Sequence, residues 1–550
     1  MDTIIITFED GTKKEYPKGV SLREIVDDVK DKYEYEIIYA KFKNQLIHFN
    51  DVLLKSGIIT FYDITHPEGN KIYERGLLLL LETCALKVLG KDTTIKIRHP
   101  IDKGIYVEID KKITDKQLEE IKNLMKQKVL EKIPFKQLET SRMEAIEYFK
   151  RIKRQDKVKT LSYTTSSFVK LYKFDGTYNY IIGDLPEDTG ILKKFELTKI
   201  ENKGIVLRFP FAFNNGKIKR YEFHEKYVNS LDEYANWANL LNINNIGELN
   251  EAMIKEGPGE IINLAESIQD YKLLSIAKEI HNNKNIKMVL LSGPSSSGKT
   301  TSSRKLSLYL KTLGLKPQPL SLDDYFLERI ETPLTKEGKY DYESIRAIDI
   351  KLFNKQLKKL LEGHQVITPT FDFVTGKKVF NKPLKLEENS ILIIEGLHTL
   401  NDELTSEIPN KNKYKIYVSP LIFLNIDNDN RISLTDIRLL RRIVRDHYTR
   451  GYSPSKTLAG WADVRKGEEQ YVFPYQDDAD VIFNTFLVYE LGVLKTYVEP
   501  LLYSITPDDP EYNTAIRLLE VLKLVLPMPS VDVPRLSILR EFIGGSYFKV

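Results

Sequence analysis

The sequence predicts a multidomain protein of α/β and α+β units, ending in an α/β domain with a mainly parallel sheet. Three observations predict this. The chain has 550 residues, which at about 150 residues per domain calls for three or four cores. Its first 65 residues set short β-rich runs around a tight turn signal, Asp10-Gly11. From Lys287 onward, wholly apolar runs such as "KMVLLS" and "SILIIE" alternate with helical patterns, as strands covered on both faces do.

Composition narrows the class. Hydrophobic residues at 42% and charged residues at 29% suit a globular chain rather than a disordered one. A net charge of only +4 gives no global case for nucleic-acid binding. The lone Cys84 excludes an intrachain disulfide and a cysteine-rich zinc site, and suits a reducing cytoplasm. "MDTIIITFEDG" lacks a basic segment followed by a long apolar one, so no secretory leader is expected. The longest apolar run, "GLLLLLE" from Gly76, is too short to cross a bilayer, so no membrane partner is expected.

In the first segment, Ile4 to Phe8 form a strand, the Asp10-Gly11 turn follows, and Lys13 to Tyr16 return. Ser21 with Glu24 three positions on is a capping box that opens a helix. Strand, hairpin, helix, strands is a β-grasp order, and residues 1–65 resemble a TGS domain. Residues 66–225 run through an apolar helix ending at Gly90, then "KIRHPIDKGIYVEID", "RMEAIEYFKRIKRQ" and "DLPEDTGILKKFELTKI". They resemble the editing domain of threonyl- and alanyl-tRNA synthetases. That family places an H-x-x-x-H pair on the first helix and a later Cys and His. Here Glu74 to Leu81 hold no His, and Ile181-Ile182-Gly183-Asp184 hold neither. A transition-metal site needs such ligands, so the segment is expected to lack hydrolytic chemistry. His99 is read as a loop or surface histidine rather than a ligand. The basic run "FKRIKRQDKVK" is read as a solvated helix face, with RNA contact by the front half left open. Residues 226–285 are expected to be a helical connector.

"GPSSSGKTT" follows the strand "KMVLLS" and matches G-x-x-x-x-G-K-[ST], a phosphate-binding loop. Gly293 and Gly298 let it curl, and Pro294, Ser295, Ser296 and Ser297 carry its backbone around the phosphates. A helix from Lys299 adds a positive end. Lys299 reaches the β- and γ-phosphates, Thr300 offers its hydroxyl to Mg2+, and Thr301 completes the ATP site. Leu306, Leu310 and Leu313 give the helix one apolar face, and Gly314 ends it. No Asn-Lys pair continues to the guanine-reading N-K-x-D, so ATP is the expected nucleotide.

"SLDDYF" ends a second strand in Asp323-Asp324-Tyr325, where strand ends line the ligand crevice. A carboxylate there accepts a hydroxyl proton or helps hold Mg2+, and Asp323 is assigned that chemistry with Asp324 in reserve. "SILIIEGLH" puts Glu395 at another strand tip beside the loop. "ITPTFDFVTGKKV" carries Phe371, Asp372 and Phe373 in a loop suited to a base. "DIRLLRRIVRDHYTRG" gathers Arg438, Arg441, Arg442, Arg445 and Arg450 on a helix and its exit. Arg438, Arg442 and Arg445 share one face, and guanidinium forks suit a phosphoryl group. The cluster is expected to close as a lid.

"GPSSSGKTT", "SLDDYF", the Tyr-Asp pair at Tyr340-Asp341, "PTFDFVTG", "IIEGLH" and "DIRLLRRIVRDHYTRG" occur in the order of the uridine kinase and phosphoribulokinase family, which the chain resembles over residues 287–502. Domain limits of 286–510 for the kinase and 511–550 for a docking tail follow. The whole layout is similar to long bacterial uridine kinase-like proteins. The resemblance implies transfer of the ATP γ-phosphoryl group, with Mg2+, to a nucleoside 5′-hydroxyl. It implies Asp323 as base, Asp341 on ribose hydroxyls, Phe371 and Tyr325 on the substrate, and Glu395 with Thr300 and Asp323 at the metal. Arg442 and Arg445 fall on catalytic lid positions, Arg442 also facing substrate, and Arg450 on an ATP-side position. Two positions depart. The pyrimidine-reading His is replaced within Val374-Thr375-Gly376-Lys377, and Tyr452 stands where the family has Arg. A sugar or sugar phosphate is therefore a second acceptor class, and an ATP-binding, RNA-linked regulator a third reading. Oligomerisation is left open.

Overall fold

The computed structural model describes residues 2–101, 104–200, 204–214, 216–218, 225–334, 338, 340–372 and 375–549. Phe373 and Val374 of the expected acceptor loop lie outside the described residues.

The N-terminal unit is a five-stranded sheet in the order Lys13–Pro17, Thr3–Thr7, Gly57–Tyr62, Tyr39–Phe42, Gln45–Ile47. Thr3–Thr7 pairs antiparallel with its hairpin partner and parallel with Gly57–Tyr62, the pairing of a β-grasp. Strand alternation turns Ile4 and Ile6 inward, and the Ser21–Glu24 capping box opens the helix Leu22–Val29 that covers them. The second unit wraps the helix Pro67–Leu89, which is buried along Leu77 to Leu81. A four-stranded antiparallel sheet, Glu196–Ile200, Gly204–Arg208, Gly104–Ile109, Ile95–Ile101, packs beside it. His99 lies in the last of these strands rather than in a loop, with its ring 5.6 Å from that of Tyr106.

The C-terminal half is built on β1 (Met288–Ser292), β2 (Lys316–Ser321), β3 (Val366–Asp372), β4 (Lys377–Leu384), β5 (Ser390–Glu395), β6 (Lys413–Ser419) and β7 (Val481–Asn484). Its helices include α1 (Pro258–Asn282), α2 (Lys299–Thr312), α3 (Ile350–Leu361), α4 (Leu434–Arg450), α5 (Trp461–Tyr471) and α6 (Glu490–Tyr503). The main sheet is wholly parallel, in the order β2-β5-β1-β6-β7. β3 and β4 form a separate antiparallel ribbon. The order makes β1 a switch point, with β5 on one side and β6 on the other, so the crevice opens at its C-terminal end. Every residue of β1 is buried, which explains its unbroken apolar run. Leu306 and Leu310 of α2 join the core beneath it. The segment expected as a connector also fills that core, through Leu273, Ile276 and Ile280 of α1.

A loop from Asn425 to Arg431 fastens this half to the front half, immediately before α4. Arg431 donates twice to Glu74, at 3.0 and 2.6 Å, and Asn430 donates to the Tyr180 carbonyl at 2.8 Å. Lys157, wholly buried, lies 2.8 Å from Asp429 and 3.3 Å from Asp427. Arg154 pairs with Asp429 at 2.8 Å. A buried pair broken from one side leaves a charge without compensation. Lys157→Ala is therefore expected to destabilise the chain by about 3–5 kcal/mol, read as a fall in the thermal midpoint.

Candidate active site

The loop between β1 and α2 is shaped by close approach. A Cβ on Gly293 would sit 1.9 Å from the Val418 carbonyl oxygen of β6, so only glycine fits. Ser296 and Gly298 take left-handed backbone, with φ of 59° and 85°. The buried hydroxyls of Ser296 and Ser297 have no hydrogen-bond partner. They are ready donors at a helix N-terminus. Lys299 folds back and donates to the Gly293 and Pro294 carbonyls, at 2.8 and 3.2 Å. Burial holds its ammonium below the usual lysine range, and Glu395 and Asp323 oppose that.

The two acidic strand ends converge on this lysine. Asp323 follows β2 in a short turn, Leu322–Tyr325, with its side chain open to the crevice. The protein around it pushes its carboxyl above the usual range, and Asp324 adds to this while Lys299 opposes it. Glu395 at the tip of β5 accepts from Ser321 Oγ at 3.3 Å. Burial, then the Asp323 charge, pushes it up to about 7. Asp324 does other work: its Oδ1 accepts the Phe371 N–H at 3.2 Å and so pins β3 to the site.

The arginines divide into two groups. Arg438 and Arg441 are fully buried and do not belong to a lid. Arg438 donates to both oxygens of Glu468, at 2.7 and 2.6 Å, and Arg441 to both of Glu490, at 3.1 and 2.5 Å. Their forks are spent on fixing α4 against α5 and α6. Arg442, Arg445 and Arg450 face the other way and share Asp446, at 3.2, 3.3 and 3.2 Å. Arg442 also donates to Ser295 Oγ at 2.8 Å. The Ser295 N–H is not free for phosphate, because it donates to Glu468 at 2.8 Å. Glu468 thus links the loop, α4 and Arg465 of α5, which it meets at 3.0 Å.

Three expected substrate residues stand differently. Tyr325 is wholly buried, donates to Gln356 at 2.7 Å and packs against Phe353, so it cannot touch an acceptor. Tyr325→Phe is expected to keep turnover within about twofold and to cost about 1 kcal/mol of stability, the worth of one buried hydrogen bond. Phe371 is 7% exposed, with Phe326 5.8 Å away, so its ring is largely enclosed by protein. Asp341 is half-buried and accepts from the Tyr471 hydroxyl at 3.5 Å.

Sequence reasoning missed Glu468, Asp446, Glu343 and His398. The first two are ordinary helical acids until the fold pairs them. Glu343 is pushed up to about 7 by burial and by Glu468, and it also feels Arg442, Asp323 and Lys299. His398, next to the β5 tip, is buried with its ring 5.7 Å from Tyr471, and burial pushes it down to about 4. The run "EGLH" was the available signal. A cavity of about 1400 Å³ lies elsewhere, between the two halves, and includes Tyr39, Arg75, Arg431, Trp461, Arg465 and Glu469 in its walls.

A glycine-cornered loop at a parallel-sheet switch point, with a half-buried lysine, two strand-end carboxylates and three arginines on one acid, defines a P-loop phosphotransferase. Residues 288–490 match the model of the phosphoribulokinase / uridine kinase family. The uridine kinase of Borrelia duttonii (strain Ly) is 30% identical over 228 residues, 39% of this chain and 97% of that protein. The chain belongs to the phosphoribulokinase / uridine kinase family. The front half is similar to a threonine–tRNA ligase of Caldanaerobacter subterraneus subsp. tengcongensis, 27% identical over 200 residues. That match spans 36% of this chain and only 31% of the ligase's length. Among solved structures, D-glycerate 3-kinase of Cryptococcus neoformans var. grubii aligns at 15% identity with a TM-score of 0.19, over 48% of this chain and 87% of that one.

Proposed function

We propose that the chain transfers the γ-phosphoryl group of ATP to the 5′-hydroxyl of a nucleoside. The observation that carries this is the convergence of Asp323 and Glu395 on Lys299 in the loop that Arg442 of α4 also reaches, through Ser295. Asp323 lies open to the crevice and takes the proton of the attacking hydroxyl. Its raised pKa brings it nearer the range of a working general base. Lys299 exchanges the Gly293 and Pro294 carbonyls for the β- and γ-phosphate oxygens. Arg442, Arg445 and Arg450 leave Asp446 in part to meet charge on the moving phosphoryl group.

The residues present fit Mg2+. No group of three or more His, Cys, Asp and Glu suited to a metal stands among the described residues. Mg2+ is ordinarily held by one or two carboxylates, a hydroxyl, water and the phosphates instead. The Asp323 charge raises the Glu395 pKa, and both carboxylates act on Lys299, so added positive charge there is favoured. Thr300, Glu395 and Asp323 would hold it, and it would neutralise developing negative charge.

Support for a nucleoside comes from family membership, and the ribose-binding role that the resemblance implies is assigned to Asp341, which accepts from Tyr471. The pyrimidine-reading His is absent from the loop, so discrimination among bases is expected to be weak. In the front half, Glu74 of the helix Pro67–Leu89 is committed to Arg431, at 2.6 Å. We assign that half a binding or bracing role. A panel of nucleosides, sugars and sugar phosphates, with ATP consumption and product mass as readouts, tests the proposal. A nucleoside monophosphate is the expected product. A phosphorylated sugar would move the assignment within the fold, and ATP binding with RNA retention but no product would replace it by a regulatory role.

A further inference from the structure

The C-terminal segment reaches the phosphate loop. Helix Arg540–Ile543 lies against the start of α2, and Glu541 Oε2 accepts from both the Thr301 N–H, at 3.1 Å, and the Thr301 hydroxyl, at 2.8 Å. Its body is firmly seated. Ser537, Ile538, Leu539 and Phe542 are buried, and the Arg441 guanidinium stands 5.0 Å from the Phe542 ring. A Cβ on Gly298 would lie 2.5 Å from Ile538 Cγ2, so the loop glycine and the tail fit one another. Arg540 anchors the turn by donating to the Ser530 and Val533 carbonyls at 2.7 and 2.8 Å. The Glu541 charge is felt by Lys299, Glu395 and Arg445, which places it inside the site.

Thr301 is the second residue after the loop lysine, and its N–H is one of the first-turn donors of α2. Such donors have no partner within the helix and are the ones a nucleotide's phosphate takes up. A carboxylate and a phosphate cannot share them, and two anions so close repel each other. We propose that Glu541 is an intramolecular competitor that occupies a phosphate subsite at Thr301 and thereby sets the affinity for the donor nucleotide. Because Ile538, Leu539 and Phe542 are locked in the core, the move that admits nucleotide is rotation of the half-buried Glu541 side chain, not release of the tail. This rests on the loop being a nucleotide site, as proposed above.

The test uses the full chain and a non-hydrolysable ATP analogue with Mg2+, its Kd measured by calorimetry for wild type, Glu541→Gln, Glu541→Ala and Phe542→Ala. Glu541→Ala is expected to bind roughly tenfold tighter, the scale of a charge-assisted contact removed from competition, and Glu541→Gln to fall between it and wild type. Phe542→Ala controls for loosening of the tail and is expected to leave the order of the two Glu541 variants unexplained by packing, with Kd closer to wild type. Thermal midpoints confirm that each variant is folded. Equal or weaker binding by folded Glu541→Ala overturns the competitor role alone. Absence of binding by wild type and all variants overturns the nucleotide site and this inference with it.

Discussion

Lys299→Ala is expected to lower phosphoryl transfer by about 10³-fold, the scale of losing a preorganised charge at a transferring phosphoryl group. The side chain donates to two loop carbonyls, Gly293 and Pro294, and its ammonium is disfavoured by burial. Removing it therefore relieves a burial cost as well as losing contacts, and the fold is expected to survive. The nucleotide Kd should weaken together with the rate, because Lys299 meets the phosphates before and during transfer. A folded variant with near wild-type turnover would remove the loop from the chemistry.

Asp323→Asn is expected to act differently. It keeps the size of the side chain and loses the ability to take a proton, for a fall in kcat of about 10²–10⁴-fold. The surroundings already disfavour the Asp323 charge, so the neutral amide is not expected to destabilise the protein. Binding of the nucleotide measured without Mg2+ should hold or tighten, since one negative charge near the phosphates is gone. The split between lost kcat and retained nucleotide Kd separates a base from a residue that merely shapes the crevice. Equal losses in both would point to the second.

Much of this was legible in the chain before the fold was known. β1, the loop and α2 fall where "KMVLLSGPSSSGKTT" puts them, because local rules alone dictate a buried strand, a glycine-cornered turn and an amphipathic helix. The Ser21–Glu24 box and the Gly90 helix end are local in the same way. Partnerships across the fold were not legible. Arg438 and Arg442 lie one helical turn apart and look alike in sequence. Glu468, thirty positions further on, claims one for the core, and Asp446 keeps the other at the crevice. Tyr325 follows two functional carboxylates, yet its side chain turns under the sheet to Gln356. The tail reads as apolar and docking, but nothing local says that Glu541 finds Thr301. Charge pairs spanning tens or hundreds of residues are set by topology, and periodicity carries no record of them.

The most direct measurement is the acceptor screen on the full chain with ATP and Mg2+, with Asp323→Asn run beside it as the blank. A nucleoside 5′-monophosphate should form with wild type and be lost with Asp323→Asn. ATP binding without phosphorylation of any nucleoside, or product formed equally by Asp323→Asn, would contradict the account.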